Sequence, residues 1–201
     1  DMGAGTINLA VIEDGEVQDI AVIPMGGNNI TNDLAIGLKT DLEIAELVKI
    51  DYARLGDKVK AGDVAVDHDG KTHVFDAEEV SMIVEARIEE IFEFIEKELK
   101  RIEKSKKLPG GVVLVGGSAN IPGIEAFAKQ YLGLSCKIGK LNDSRGITEG
   151  IETLDYVTSI GLMNLDMLFG SQSSSSYGPS KSFMPIDLFD YITNVFKKIK
   201  K

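Results

Sequence analysis

Between Asp76 and Pro109, the residues Val80, Ile83, Val84, Ile88, Ile91, Phe92, Ile95, Leu99 and Ile102 recur at three- and four-residue steps. Only an α-helix gathers that spacing onto one side, so the pattern predicts a long amphipathic helix that must lie on a core. Its opposite face is charged. Asp76 followed by Glu79 has the form of an N-terminal cap, and Pro109-Gly110 is the expected stop. The rest of the chain has to supply the surface this helix covers.

Before the helix, "TINLAVIEDGEVQDIAVIPM" reads as two β-rich runs joined at Asp14-Gly15, a strong hairpin signal. Both arms are almost continuously apolar, so cover on both faces is expected. "GGNNITNDLAIGL" then reads as a loop entering a helix. The next helix is expected from Thr40, where Thr-Asp-Leu-Glu has the capping-box form, to about Leu55, ended by Gly56. Residues 57–75 read as short strands around Asp69-Gly70. After the long helix, Val112–Val115 is a short buried strand, Gly116-Gly117 a turn, and Pro122 the start of a helix running to Gly133. A strand near Cys136–Ile138 and a helix near Tyr156–Leu168 follow.

The 201 residues carry a net charge of −10, which argues against a general binder of nucleic acid or anionic lipid. The charge is uneven: from Phe183 on there are four Lys and two Asp, leaving −12 for the first 182 residues. A single cysteine, Cys136, excludes an internal disulfide framework and fits a reducing cytoplasm. His68 and His73 lie far from it in sequence, which disfavours a Cys/His zinc site. No signal peptide and no apolar run of about 18 residues is visible. The missing initiator Met leads to the expectation of a fragment or a processed chain.

Two glycine motifs carry candidate chemistry. "DMGAGT" at the start offers a carboxylate, Asp1, beside Gly3, Gly5 and Thr6. Such glycines can turn backbone N–H groups toward an anion, and a carboxylate beside them can hold a hydrated Mg²⁺. The same pattern also serves as an ordinary tight turn. "VGGSAN" places Gly116, Gly117 and Ser118 at the carboxyl end of a buried strand, where α/β proteins bind ligands, or where a chain simply turns sharply. At the other end, "GSQSSSSYGPSKS" reads as a polar linker. The segment after it, as a helix, aligns Leu188, Phe189, Ile192, Val195, Phe196 and Ile199 on one face, with Lys197, Lys198, Lys200 and Lys201 at its end. An apolar face with a basic rim is what a helix lying on an anionic membrane needs.

The D-x-G-x-G-T loop, the hairpin behind it and the later strand–Gly-Gly–helix resemble the second half of the actin-like ATPase fold. The stretch "GGNNITNDLAIGLKTDLEIAELVKIDYA", with the linker and the amphipathic end, is similar to the FtsA family of bacterial division proteins. The implied fold class is α/β: the second lobe of the actin-like ATPase (ribonuclease H-like) fold, with an inserted α+β subdomain and a C-terminal amphipathic helix. Residues 1–28 and 106–169 would form the core subdomain and 29–105 the insertion. A linker at 170–182 and a membrane-targeting helix at 183–201 would complete the plan.

The resemblance implies ATP and Mg²⁺ as cofactors. Asp1, Gly3, Gly5 and Thr6 would form the second phosphate loop, with Asp1 reaching the metal through water, and Gly26 and Gly27 would close the hairpin arm near the nucleotide. Gly116, Gly117 and Ser118 would be the adenosine motif, and Glu43 and Glu46 would face ribose and base. Glu43 is equally accounted for as a capping residue. The basic residue that often follows the position of Glu46 is Leu47 here. Arg87 would receive the C-terminal peptide of FtsZ, the tubulin-like division protein; alternatively it pairs with the nearby Glu85, Glu89 and Glu90. The implied protein polymerises, binds FtsZ and sits on the cytoplasmic face of the membrane at the division site, with no nucleic acid. No general base is identifiable. A chaperone-type ATPase and a pilus-assembly adaptor of the same fold are the alternatives. The isolated fragment, holding one jaw of a clamp, is expected to bind nucleotide weakly or not at all.

Overall fold

The computed structural model describes residues 1–56, 62–140 and 154–170, with side chains up to Asp166. The expected linker and membrane helix lie outside the described residues. The described elements run β1 (Ile7–Glu13), β2 (Glu16–Ile23), α1 (Gly27–Gly37), α2 (Leu42–Tyr52), β3 (Asp63–His68), β4 (Lys71–Asp76), α3 (Ala77–Arg101), β5 (Val112–Leu114), α4 (Ile124–Leu132), β6 (Cys136–Ile138) and α5 (Val157–Gly170).

Two turns follow directly from their residue pairs. Asp14 and Gly15 (φ 51° and 84°) and Asp69 and Gly70 (φ 49° and 71°) all have positive φ, as the tightest hairpins demand. β1 pairs antiparallel with β2 and β3 with β4, whereas β5 and β6 are parallel. The chain between β5 and β6 carries α4, as a parallel crossover requires.

Helix α3 is as long and as amphipathic as its spacing predicts. Val80, Val84, Ile88, Ile91, Phe92, Ile95 and Leu99 are all buried. The Asp76 carboxylate accepts from the N–H groups of Glu78 (2.7 Å) and Glu79 (3.0 Å), capping the helix. The buried face packs against α1 and α2 at one end and α4 at the other. One continuous core results, running from Ile30, Leu34 and Val48 through Phe92 to Ile124 and Leu132.

Several local expectations are corrected. Helix α1 begins at Gly27 itself, where a loop was expected: the Gly26 N–H donates to Asn29 Oδ1 (2.9 Å), fixing the first turn. Helix α2 begins at Leu42 with Asp41 as its N-cap, and no side chain closes the predicted box. Glu43 instead meets His68 Nε2 at 3.1 Å. Helix α3 ends at Arg101, well before Pro109, because Glu103 and Lys106 take positive φ (59° and 57°). Arg101 pairs there with Asp19, and Lys104 with Glu13, tying the end of α3 to the first hairpin.

That hairpin is covered on one face only among the described residues. Ile7, Val11 and Ile23 point into the core, while Val17, Ile20 and Val22 are exposed. A continuously apolar run does not say which of its faces is covered; here strand alternation, with a register shift between Val11 and Ile12 that carries Val17 to the outer face, separates the two sets.

Candidate functional site

The loop at residues 1–6 is spliced into the sheet by its backbone. The Met2 N–H donates to Val115 O (2.7 Å), the Ser118 N–H donates back to Met2 O (3.0 Å), and Met2 forms an isolated antiparallel bridge with Ile7. The first turn of α1 docks on the same loop: Gly27 N–H reaches Gly3 O (2.9 Å) and Asn28 N–H reaches Ala4 O (2.8 Å). The start of the chain, the end of β2 and the end of β5 therefore meet in one place.

Glycine is needed where they meet. A Cβ on Gly26 would lie 2.5 Å from Gly3 O and 2.6 Å from Ala4 O. Gly116 has φ 89°, and its Cβ would fall 2.4 Å from an Asp1 carboxylate oxygen and 2.7 Å from Met2 O. These backbones lie so close that no side chain fits between them.

Beside this junction opens a cleft of about 380 Å³, lined by Ala4, Gly27, Glu46, Lys49, Gly117 and Ser118, with Ile50, Ala53, Ile121 and Pro122 as its apolar side and Asn120 and Asp155 near Gly117. Polar groups converging on an otherwise apolar recess are the usual make-up of a small-molecule site.

Its charged wall is a linked set on α1 and α2. Lys49 Nζ donates to Glu46 Oε2 (2.6 Å), Thr31 Oγ1 (2.9 Å) and Gly27 O (3.3 Å). The Thr31 hydroxyl lies 2.5 Å from Glu46 Oε2. Glu46 and Lys49 stand three residues apart on α2, on one helix face. The Lys49 side chain is only 15% exposed, so the cation is held rather than free in solvent.

The residues picked from the sequence fall into distinct places. Gly27, Glu46, Gly117 and Ser118 line the cleft. Gly3, Gly26, Gly116 and Asp1 lie at the junction behind it, where Asp1 also accepts from Thr158 Oγ1 (2.6 Å). Gly5 and Thr6 are exposed at the loop tip. Glu43 does not line the cleft; its side chain is 80% exposed beside His68.

Arg87 sits on α3 and bonds Asp33 of α1 through two nitrogens (2.5 and 2.9 Å) and Glu90 through a third. The hydrogen bonds to Asp33 and the charges of Asp33 and Glu90 raise its pKa against the opposing effect of burial. Residues 188, 189, 192 and 195–201 lie outside the described residues.

Sequence reasoning missed Lys49, Thr31 and Asp155. It sought a base directly after Glu46 and found Leu47, which packs against the core. The base stands one helical turn on, a spacing visible in "AELVKIDYA". Among the described residues no group of three or more His, Cys, Asp or Glu could hold a metal ion. No helix among them is long and apolar enough to cross a membrane.

Comparison with known proteins bears on what this cleft serves. In overall shape the chain is similar to MreB5 of Spiroplasma citri bound to ADP (TM-score 0.65, 18% identity, 87% of this chain and 54% of that one). It is also similar to a MamK double helical filament (TM-score 0.59, 22% identity, 70% and 48%). These likenesses show an actin-like ATPase fold. In sequence it is 35% identical over 167 residues to the cell division protein FtsA of Bacillus subtilis, covering 81% of this chain and 37% of that protein. Against FtsA of Pseudomonas aeruginosa it is 29% identical over 199 residues, covering 92% and 47%. The chain thus spans half or less of the length of these curated relatives. The family model described as "Cell division protein FtsA" matches residues 1–161, which include the first glycine loop, the charged wall on α2 and the second glycine motif, and on that match the chain belongs to the FtsA family.

Proposed function

We propose that this chain supplies one lobe of an ATP-binding, filament-forming division protein that holds FtsZ at the cytoplasmic membrane. The observation that carries the nucleotide reading is the convergence of Gly27, Gly117 and Ser118 with the Glu46–Lys49 pair on one cleft. The apolar side formed by Ile50, Ile121 and Pro122 suits a base, and the charged pair suits ribose hydroxyls. Asp1 alone is too little for a metal cage. Asp1 lies behind the cleft and accepts from Thr158, so it would meet Mg²⁺ only through water, with nucleotide phosphate oxygens and other waters completing the shell. The similar MreB5 structure is bound to ADP, which supports the same reading. Polymerisation is supported by family membership and by the filament of the MamK relative.

In this reading the FtsZ peptide docks on the 29–105 region near Arg87, and the helix at 183–201 holds the bilayer. Weak tails presented together by one filament bind avidly, because linked sites share an effective concentration. Fluorescent ATP titrated into the full-length protein tests the central step. Micromolar binding that weakens at least about tenfold in Lys49→Met is expected. Equal binding by both proteins would remove the cleft from the reading.

A further inference from the structure

The wall of the cleft has a keystone to which the sequence reading gave no role. Thr31 lies in the interior of α1 and is buried, 7% exposed. Its hydroxyl touches three partners: Gly27 O one turn back (3.2 Å), Glu46 Oε2 (2.5 Å) and Lys49 Nζ (2.9 Å). A hydroxyl has one proton and two lone pairs. The ammonium has only protons to give, so Thr31 must accept from Lys49, and its own proton goes to the nearer acceptor, Glu46. The hydroxyl thus bridges a cation and a carboxylate that are themselves 2.6 Å apart.

This triangle decides where Lys49 points. All three ammonium protons have partners, and the contact to Gly27 O, at 3.3 Å, is the longest. Gly27 lines the cleft beside the cation: a Cβ there would lie 2.9 Å from Ser118 Oγ and 3.6 Å from Lys49 Nζ. Two short contacts, to Thr31 and Glu46, therefore hold the ammonium against the helix, while the third proton is the one a ligand oxygen in the cleft can take over. Without the hydroxyl, the ammonium keeps one short contact, to Glu46 on a partly exposed side chain, and on the α1 side only the longer contact to Gly27 O.

We propose that Thr31 is a positioning residue for ligand binding in this cleft: it acts through Lys49, aiming one ammonium proton at an oxygen of the bound nucleotide. The inference rests on the nucleotide reading of the cleft. It assigns no ligand contact to Thr31 itself. It requires a hydroxyl at position 31 and is indifferent to the methyl, so Thr31→Ser keeps the function and Thr31→Val, nearly the same shape, loses it.

Two measurements on the full-length protein test it, after circular dichroism has shown each variant folded. The first is fluorescent-ATP affinity. Thr31→Val is expected to weaken binding about tenfold and Thr31→Ser by no more than about twofold. In a Lys49→Met background, Thr31→Val is expected to cost nothing further, because a residue acting only through Lys49 is silent once Lys49 is gone. Wild-type affinity in Thr31→Val, or a full additional loss in the Lys49→Met background, overturns the proposal.

The second measurement needs no nucleotide. It is the rate at which an N-hydroxysuccinimide ester acylates Lys49, followed by peptide mass spectrometry. Lys49 is expected to react severalfold faster in Thr31→Val and at the wild-type rate in Thr31→Ser; unchanged reactivity in Thr31→Val overturns the positioning role. Faster acylation in a protein that binds no ATP would leave Lys49 held by Thr31 but strike down the nucleotide reading, and with it the proposed aim at a nucleotide oxygen.

Discussion

Met2 and Val115 share a backbone hydrogen bond of 2.7 Å, through which the first residues of the chain are sewn to the end of β5. The Ser118 N–H returns the bond to Met2 O at 3.0 Å. Two glycine motifs from distant parts of the sequence thereby become one rigid junction, and Gly116 sits at its tightest point. Gly116→Ala forces a Cβ into the Asp1 carboxylate and the Met2 carbonyl at positive φ. A loss of about 3 kcal/mol in urea unfolding is expected. A loss below about 0.5 kcal/mol would show that the junction yields easily.

The pairing of Arg87 with Asp33 joins α1 to α3, and both side chains are less than a third exposed. Arg87→Met leaves the Asp33 carboxylate without its bidentate partner, so a loss of about 1–3 kcal/mol is expected by denaturant titration. The same geometry bears on the proposed FtsZ contact, because an acidic peptide would have to compete with Asp33 for the guanidinium. Asp33→Asn is expected to strengthen binding of an FtsZ C-terminal peptide severalfold in fluorescence anisotropy, and Arg87→Glu to abolish it. Unaffected binding by Arg87→Glu would place the peptide elsewhere.

Cys136 is buried on β6, and burial pushes its thiol up from the usual 9.0 to about 11. At pH 8 its reaction with a maleimide is expected to be about a hundredfold slower than that of a free thiol, and to become fast on unfolding. Because the folded state holds the proton more tightly, the thiol's contribution to stability is intact below pH 9. It is lost as the pH rises toward 11. Fast labelling of the native protein would contradict the buried placement.

The amphipathic segment yields a prediction from its residues alone. Phe189→Asp with Phe196→Asp breaks the apolar face while keeping the four lysines. Co-sedimentation of the full-length protein with anionic vesicles is expected to fall to background in this variant. Retained binding would assign the lipid contact to charge alone or to another part of the protein.

What could be read beforehand divides by the range of the interaction. The Asp14-Gly15 and Asp69-Gly70 turns, the capped start of α3 and the β5–Gly-Gly turn rest on neighbours in sequence, and all were legible. The cleft's charged wall was not. Thr31 meets Glu46 and Lys49 across 15 and 18 residues, and nothing in "NNITND" or "AELVKID" announces that pairing. Glu43 misled on both counts: the helix starts one residue later, at an Asp41 cap with no side-chain hydrogen bond, and His68, from the next hairpin, meets the side chain. The exposed face of β2 belongs with these, since an apolar strand records a tendency to be covered and not the element that does the covering.

The central claim is that the cleft beside Gly27 receives the nucleotide. Gly27 starts a helix without positive φ, so an alanine is tolerated by the backbone. Its methyl would stand 2.9 Å from Ser118 Oγ, inside the site. The most direct measurement is calorimetric titration of Mg²⁺–ATP into the full-length protein and its Gly27→Ala variant, with unfolding midpoints taken in parallel. Binding at least tenfold weaker in the variant, at nearly unchanged stability, is predicted. Equal affinity in the two proteins would contradict it.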